Sequence, residues 1–208
     1  MKKLMIGLTC ALLLTTVPAL AAPSINGSTG LINNPTADVL RPGQISLGYY
    51  HLKNGGAGSF NTNVAPNLEL ALAAFREDGQ NNKNYFNAKF SVMPETVLTP
   101  GLAIGIEDIA NSHQRSPYAV ASKALPFGFR IHAGTGGGRF NGVFAGIEKT
   151  INPISIITGN NAFPATTLIA EYDGKTMNYG ARLAIIPGLK LDAGLRNHDG
   201  YIGISFTD

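Results

Sequence analysis

Between Leu168 and Phe206 apolar residues fall on every second position, run after run, and a turn signal closes each run. Leu168, Ala170 and Tyr172 alternate with Thr167, Ile169 and Glu171, then Asp173-Gly174 follows. Met177, Tyr179, Ala181, Leu183 and Ile185 alternate with Asn178, Gly180, Arg182 and Ala184, up to Pro187-Gly188. Leu189, Leu191, Ala193 and Leu195 alternate with Lys190, Asp192, Gly194 and Arg196; after Asn197 to Gly200 come Ile202, Ile204 and Phe206. Successive strand residues point to opposite faces, so this period means a sheet with one apolar face. The registers agree. A two-residue loop at Asp173-Gly174, a preferred hairpin dipeptide, pairs Tyr172 with Lys175 and Leu168 with Tyr179. A three-residue loop from Ile186 to Gly188 keeps the faces aligned and sets Arg182 opposite Asp192 and Gly180 opposite Gly194. A two- or four-residue loop at the last turn also keeps them aligned.

The opposite face carries charge and glycine. A soluble sandwich would turn that face to solvent, where glycine is out of place. A transmembrane barrel turns the apolar face to lipid and lines its lumen with polar and small residues. The N-terminus favours the barrel. Lys2 and Lys3 precede an apolar run from Leu4 to Val17, and Ala19-Leu20-Ala21 is a small-x-small cleavage site, so residues 1–21 read as a signal peptide. That run is too short to span a membrane as a helix. The single cysteine, Cys10, lies within it, so disulfides do not hold the exported chain. The formal net charge of +3 falls to +1 without Lys2 and Lys3, so the basic balance is no argument for a nucleic-acid partner.

Extending the alternation back along the chain predicts about twelve strands near residues 44–52, 58–64, 68–76, 85–92, 101–108, 117–124, 127–136, 142–149, 165–172, 176–185, 189–196 and 201–206. The connections alternate between two kinds. Proline marks Pro66, Pro94 to Pro100, Leu125-Pro126, Asn152 to Pro164, and Pro187. The others are polar and mostly rich in glycine or asparagine. Alternate turns of a meander share one side of a membrane, so the expected fold is all-β, an antiparallel up-and-down transmembrane barrel with both termini on the periplasmic side. The connection from Ile151 to Pro164 is long for such a turn and is a candidate for a short helix or plug.

The expected lumen face carries Glu69, Lys89, Glu107, Lys123, Arg130, His132, Glu148, Glu171, Arg182, Lys190, Asp192 and Arg196, spaced by Gly and Ala. Both signs occur in similar number. The bland reading is a lumen filled by neutralising ion pairs; the functional one is a polar conduit or ligand site. Catalysis has little support. His51, His113, His132 and His198 have no Ser and acid at an obvious flanking spacing, and G-x-S-x-G does not occur. No metal or cofactor is expected, since no His pair at ligand spacing occurs. Gly134 to Gly138 reads as a hairpin loop, because no Lys-Ser/Thr follows at phosphate-loop spacing. Tyr49, Tyr118, Tyr172 and Tyr179, with Phe127 and Phe206, are candidates for interfacial girdles.

Ahead of the strands lies a stretch rich in glycine and asparagine. It contains Gly30-Leu31-Ile32-Asn33-Asn34-Pro35-Thr36-Ala37, followed by Pro42-Gly43-Gln44 and Gly48-Tyr49. This opening, with Ala170 to Lys175 and Asp199-Gly200, resembles the YjbH family of outer-membrane β-barrel proteins. Gly30, Leu31, Ile32, Pro35, Thr36 and Ala37 carry the motif. Familiar members are several times longer and have more than one barrel-like part. The resemblance implies a location in the outer membrane and a part in exopolysaccharide production or export; the residues themselves lead to no expectation of an enzyme. Its implied partners are outer-membrane lipid, and polysaccharide or envelope export proteins. A small general pore, a structural envelope protein and, further off, a lipid hydrolase are the alternatives. The expected organisation is a signal peptide at 1–21, an N-terminal segment at 22–43 and the barrel at 44–208.

Overall fold

The computed structural model describes residues 21–79, 81–151 and 164–208. The signal peptide expected at 1–21 lies outside them but for its last residue, and so does most of the connection singled out as a candidate plug.

Strands β1 (Ile45–Leu52), β2 (Gly55–Ala65), β3 (Leu68–Glu77), β4 (Lys83–Met93), β5 (Gly101–Glu107) and β6 (Ser116–Ala124) make half of a meander. Strands β7 (Phe129–Gly136), β8 (Gly142–Ile151), β9 (Ala165–Tyr172), β10 (Met177–Ile186), β11 (Leu189–Arg196) and β12 (Asp199–Thr207) complete it. Each pairs antiparallel with its sequence neighbours, and β12 pairs with β1, closing the barrel. Closure leaves no unpaired strand edge. Outward positions such as Leu47, Phe60, Leu72, Phe86, Ile104 and Leu191 are exposed and apolar. Among the described residues, the proline turns and the two ends of the barrel chain share one rim, here the terminal rim; the polar connections share the other, the loop rim.

The local registers test the sequence reading strand by strand. Arg182 lies opposite Asp192 and Gly180 opposite Gly194, as expected. The extra residue at Pro187-Gly188 is not in the loop: the register shifts between Ala184 and Ile186, and Ile186 pairs with Leu189 across a two-residue turn. The last turn is also two residues, with Arg196 opposite Asp199 and positive φ at Asn197 and His198. The Asp173 turn is a correction. Tyr172 pairs with Met177 and Leu168 with Ala181, so the loop has four residues. Its cause is Asp173, whose Oδ1 accepts from the backbone N–H of Lys175 at 3.1 Å and of Thr176 at 2.9 Å. That side-chain turn outcompetes the tighter one, and an even change in loop length leaves the faces unaltered.

Two side chains lie on the face opposite to that expected. Tyr118 is buried inside the barrel rather than in an outer girdle. Its ring sits over Gly105 and packs against Phe140 and Phe144 at centroid distances of 5.3 and 6.3 Å. Phe144, which interrupts the apolar alternation of β8, belongs to this inner cluster. Lys123 lies on the outer face of β6. Ser122 points inward to meet His132 on the facing strand, so Lys123 and its partner Ile131 point outward. The Lys123 ammonium then curls onto the terminal rim, donating to the Thr96 and Val97 carbonyls at 2.6 and 2.8 Å.

Candidate functional site in the barrel lumen

The lumen is filled by the segment ahead of β1. Chain from Ala22 to Ala37 is buried but for Asn26, although it forms only two isolated β-bridges, Pro23 with Thr29 and Gly30 with Pro35. It starts at the terminal rim, where the Ala21 carbonyl accepts from Lys190 Nζ at 3.0 Å. It climbs until Asn33 meets Asp173 near the loop rim at 2.9 Å. It then descends past Asp38 and Leu40 to Arg41, Pro42 and Gly43, exposed at the rim where it began. Residues 22–40 are thus a plug folded back on itself.

The plug makes some backbone bonds of its own, such as Ile25 N–H to the Ile32 carbonyl at 2.8 Å and Leu31 N–H to the Asn34 carbonyl at 2.9 Å, but inside a barrel the peptide groups left over are costly unless the wall pairs them. The wall does so, chiefly with the charged residues that the sequence placed inside. Glu171 accepts from the N–H groups of Ile32, Asn33 and Asn34 at 3.2, 2.8 and 3.1 Å. Glu69 accepts from the N–H of Thr29 at 2.8 Å and of Leu40 at 3.2 Å, and from the Thr29 hydroxyl. Lys89 donates to the Thr29 carbonyl at 2.8 Å and lies 3.3 Å from Glu69. Arg182 donates to the carbonyls of Gly30 and Leu31 at 3.2 and 3.0 Å while its Nε holds Asp192 at 2.6 Å. Arg139 donates to the Asn33 carbonyl at 2.8 Å, and the same guanidinium pairs with Glu107. Arg196 reaches the Asn33 side-chain oxygen at 2.7 Å, and Arg130 pairs with Asp38.

Shape completes the fit. A Cβ on Gly146 would come within 2.2 Å of Leu31 Cδ1, and one on Gly180 within 3.2 Å of Ile32 Cδ1. Wall glycines therefore make the sockets for the plug's two large apolar side chains. Within the plug, a Cβ on Gly30 would meet the Asn34 carbonyl oxygen at 2.2 Å, so the turn through Asn34 needs glycine there. Among the described residues, several buried oxygens around the plug have no hydrogen-bond partner, including Ser24 Oγ, Asn34 Oδ1 and Asp192 Oδ2.

Eleven of the twelve expected lumen residues face inward, Lys123 being the exception. Most are neither mutually neutralised in isolation nor exposed to a conduit; they are joined through the plug. The remaining pair, His132 and Glu148, forms a relay that the linear sequence hid. Ala37 N–H donates to Ser122 Oγ at 2.9 Å. Ser122 Oγ lies 2.8 Å from His132 Nδ1, and His132 Nε2 lies 2.8 Å from Glu148 Oε1. Which atom of each pair donates depends on the tautomer of His132. The order of residue types is that of a nucleophile, base and acid. Ser122 is buried beneath Ala37, however, and its hydroxyl oxygen already holds a peptide N–H. The relay as built anchors the descending arm of the plug. The three residues come from β6, β7 and β8, so only cross-strand register could have revealed it.

A cavity of about 420 Å³ opens above the plug at the loop rim. Asn26 and Asn33 of the plug form its floor, and Tyr85, Arg139, Lys175 and Arg196 are among its walls. Among the described residues no group of three or more His, Cys, Asp or Glu side chains is placed to hold a metal.

Residues 24–153, which include the whole buried motif, match the YjbH family model, described as exopolysaccharide biosynthesis protein YbjH. The chain belongs to the YjbH family. It is 31% identical over 150 residues to the "Uncharacterized lipoprotein YjbH" of Escherichia coli (strain K12). That alignment covers 64% of this chain and 22% of the relative, so the chain spans less than a quarter of the relative's length. The solved KdgM porin superposes with a TM-score of 0.52 at 11% identity, over 79% of this chain and 97% of the porin. The KdgM porin in complex with disordered oligogalacturonate gives a TM-score of 0.54 at 10% identity, with the same coverage. At that identity the likeness shows the fold alone, that of a porin-like barrel. Within this YjbH chain the motif from Gly30 to Ala37 is thus the part of the plug that meets Glu171, Arg182, Arg139, Arg196 and Ser122.

Proposed function

We propose that the protein resides in the outer membrane, with the termini and proline turns toward the periplasm, and serves exopolysaccharide production or export as a gated barrel. The observation that carries this reading is how the wall holds the plug. Carboxylates, guanidiniums and an ammonium of the wall grip peptide N–H and C=O groups of the plug as well as one another. A plug seated this way closes the lumen. Once withdrawn, it leaves a wall of fixed donors and acceptors of the kind that a hydrated, hydroxyl-rich polymer can use. Family membership supplies the polysaccharide. The apolar outer face supplies the contact with lipid, and envelope export proteins would meet the terminal rim. Among the described residues no organised and accessible nucleophile supports an enzymatic reading.

Deleting the gene is expected to lower surface polysaccharide. The purified protein is expected to conduct little in a planar bilayer, and the same chain lacking residues 22–40 to conduct steadily. Unchanged polysaccharide with lost uptake of small solutes would make it a general pore. If neither changes but detergent sensitivity rises, a structural envelope role is the better account. Ester hydrolysis abolished by Ser122→Ala or His132→Ala would overturn all three.

A further inference from the structure

The cavity at the loop rim has an unequal supply of charges. Its carboxylates are engaged. Glu107 is held by the Arg139 guanidinium, with Nη2 at 2.7 Å, and Glu77 lies 3.5 Å from Lys83 Nζ. Asp173 accepts from two backbone N–H groups and from the side-chain amides of Asn33 and Asn178, at 2.9 and 3.0 Å. Two cations are different. The exposed ammonium of Lys175 has no carboxylate within 4.0 Å among the described residues. Arg196 is bonded through Nε to the neutral oxygen of Asn33, and among the described residues it has no carboxylate within 4.0 Å. Beside them stands an aromatic wall. Tyr85 packs edge-on to Phe75 at 5.6 Å and against His113 at 5.3 Å, and Arg196 sits 5.7 Å from the Phe75 ring. Gln114 and Thr176 add an amide and a hydroxyl to the lining.

We propose that this cavity binds an acidic saccharide. Lys175 and Arg196 would take its carboxylate, Tyr85 would line one side of a sugar ring, and the amides and hydroxyl would meet its hydroxyls. The chemistry of the lining selects this class. A guanidinium with free donors pairs with a planar anion more strongly than with a neutral group. The volume of about 420 Å³ is in the range of small-ligand sites, yet the lining is too polar for an apolar ligand. A bare inorganic anion would use the cations and leave Tyr85 unused. The assignment of a sugar rests on the polysaccharide reading above; the assignment of an anion rests on the charges alone.

The test is calorimetric titration of the purified full chain in detergent, which does not depend on any export phenotype. The probes are tetragalacturonate, the neutral cellotetraose and inorganic phosphate. Tetragalacturonate is expected to bind, cellotetraose to bind at least about tenfold more weakly, and phosphate to compete only at far higher concentration. Lys175→Gln touches no contact of the plug or barrel wall through its side chain, and is expected to weaken tetragalacturonate by about tenfold, the loss of one charge-assisted contact. Tyr85→Ser should weaken it while leaving phosphate unchanged. Equal binding of the acidic and neutral sugars, unchanged binding in Lys175→Gln, or no binding to the native chain would overturn the proposal. Phosphate as effective as the sugar, with Tyr85→Ser silent, would overturn the saccharide and leave an anion site. Loss of polysaccharide on gene deletion without any of this binding would keep the exopolysaccharide role and refute only this site.

Discussion

Removing the Glu171 carboxylate should unseat the plug while sparing the barrel. In the native chain that one group accepts N–H bonds from Ile32, Asn33 and Asn34 and from the Asn178 amide, the last at 3.1 Å. Glu171→Ala leaves three buried peptide N–H groups of the plug without an acceptor. Each unpaired buried donor costs about 1–3 kcal/mol, so the three together approach roughly 3–9 kcal/mol. The truncated side chain leaves a polar hole beneath the loop-rim cavity, and water entering it recovers part of that loss. The low end, about 3 kcal/mol, is therefore the working figure, and it corresponds to a shift of more than about a hundredfold toward the unseated plug. Glu171→Gln keeps one acceptor oxygen and should shift the balance by only about tenfold. Single-channel recording in planar bilayers reads the open fraction directly, and alkylation of Ser28→Cys by a membrane-impermeant reagent reads exposure of the plug. The expected order in both is native, then Gln, then Ala. If Glu171→Ala assembles normally and neither conductance nor alkylation changes, the carboxylate does not hold the plug and the gate is misassigned.

Other perturbations address separate parts of the argument. Asp192→Ala leaves the buried Arg182 charge without its ion partner and should destabilise by about 3–5 kcal/mol, whereas removing both partners should cost less than the sum; an additive double-mutant cycle in urea refolding would refute the coupling. Gly146→Val fills the socket of Leu31 and should raise conductance without impairing assembly, as read by bilayer recording and by gel migration without boiling. Leu191→Arg puts a charge on the apolar outer face and should cost on the order of 2–4 kcal/mol at the membrane midplane, while Gly200→Ala at the rim, where a Cβ meets nothing within 4 Å, should be nearly silent in the same refolding assay. In the loop after β5, burial raises the Asp108 carboxyl but the N–H groups of His113, Ser112 and Gln114 outweigh it, so its pKa lies below 3.8. The loop order it supplies should be complete above pH about 4 and lost as acid carries the pH below the folded value, seen as lower amide protection factors, relative to the intrinsic rate at each pH, at residues 112–114.

The barrel was legible because its signal is local. Period-two alternation needs only neighbouring residues, and the match of faces across Arg182 and Asp192 needs only one turn. Where the local reading failed, a side chain acted across strands. Asp173 bonded its own turn and lengthened it; Ser122 met His132 and thereby sent Lys123 outward; Gly105 made room for Tyr118, and an aromatic expected at the lipid boundary went inside. None of these changes the strand count, because the first moves a loop by an even number and the others only exchange the inner and outer faces of β6.

The plug was illegible for the opposite reason. Its residues carry no period, and its partners are far away in the chain: Thr29 meets Glu69, Asn33 meets Glu171, and Gly30 meets Arg182. The sequence did hold one clue, an inner face with more charge and glycine than a barrel packing only its own side chains requires. Those charges pair with peptide groups and those glycines receive Leu31 and Ile32, so the excess measures what the wall must offer a second chain. The path of that chain then limits how the gate can work. Both arms reach the terminal rim, at Ala21 and at Gly43, and the turn at Asn33 points toward the loop rim. A loop with both arms on one side can retract to that side without threading. Arg196 links its tip to the cavity above, because the same guanidinium holds Asn33 and faces the proposed anion. A ligand that draws Arg196 away from Asn33 must weaken the seat of the plug, and by reciprocity an unseated plug must change the affinity of the ligand by the same factor. Tetragalacturonate affinity should therefore differ between the native chain and Glu171→Ala. Equal affinities would mean that the cavity and the gate are energetically independent.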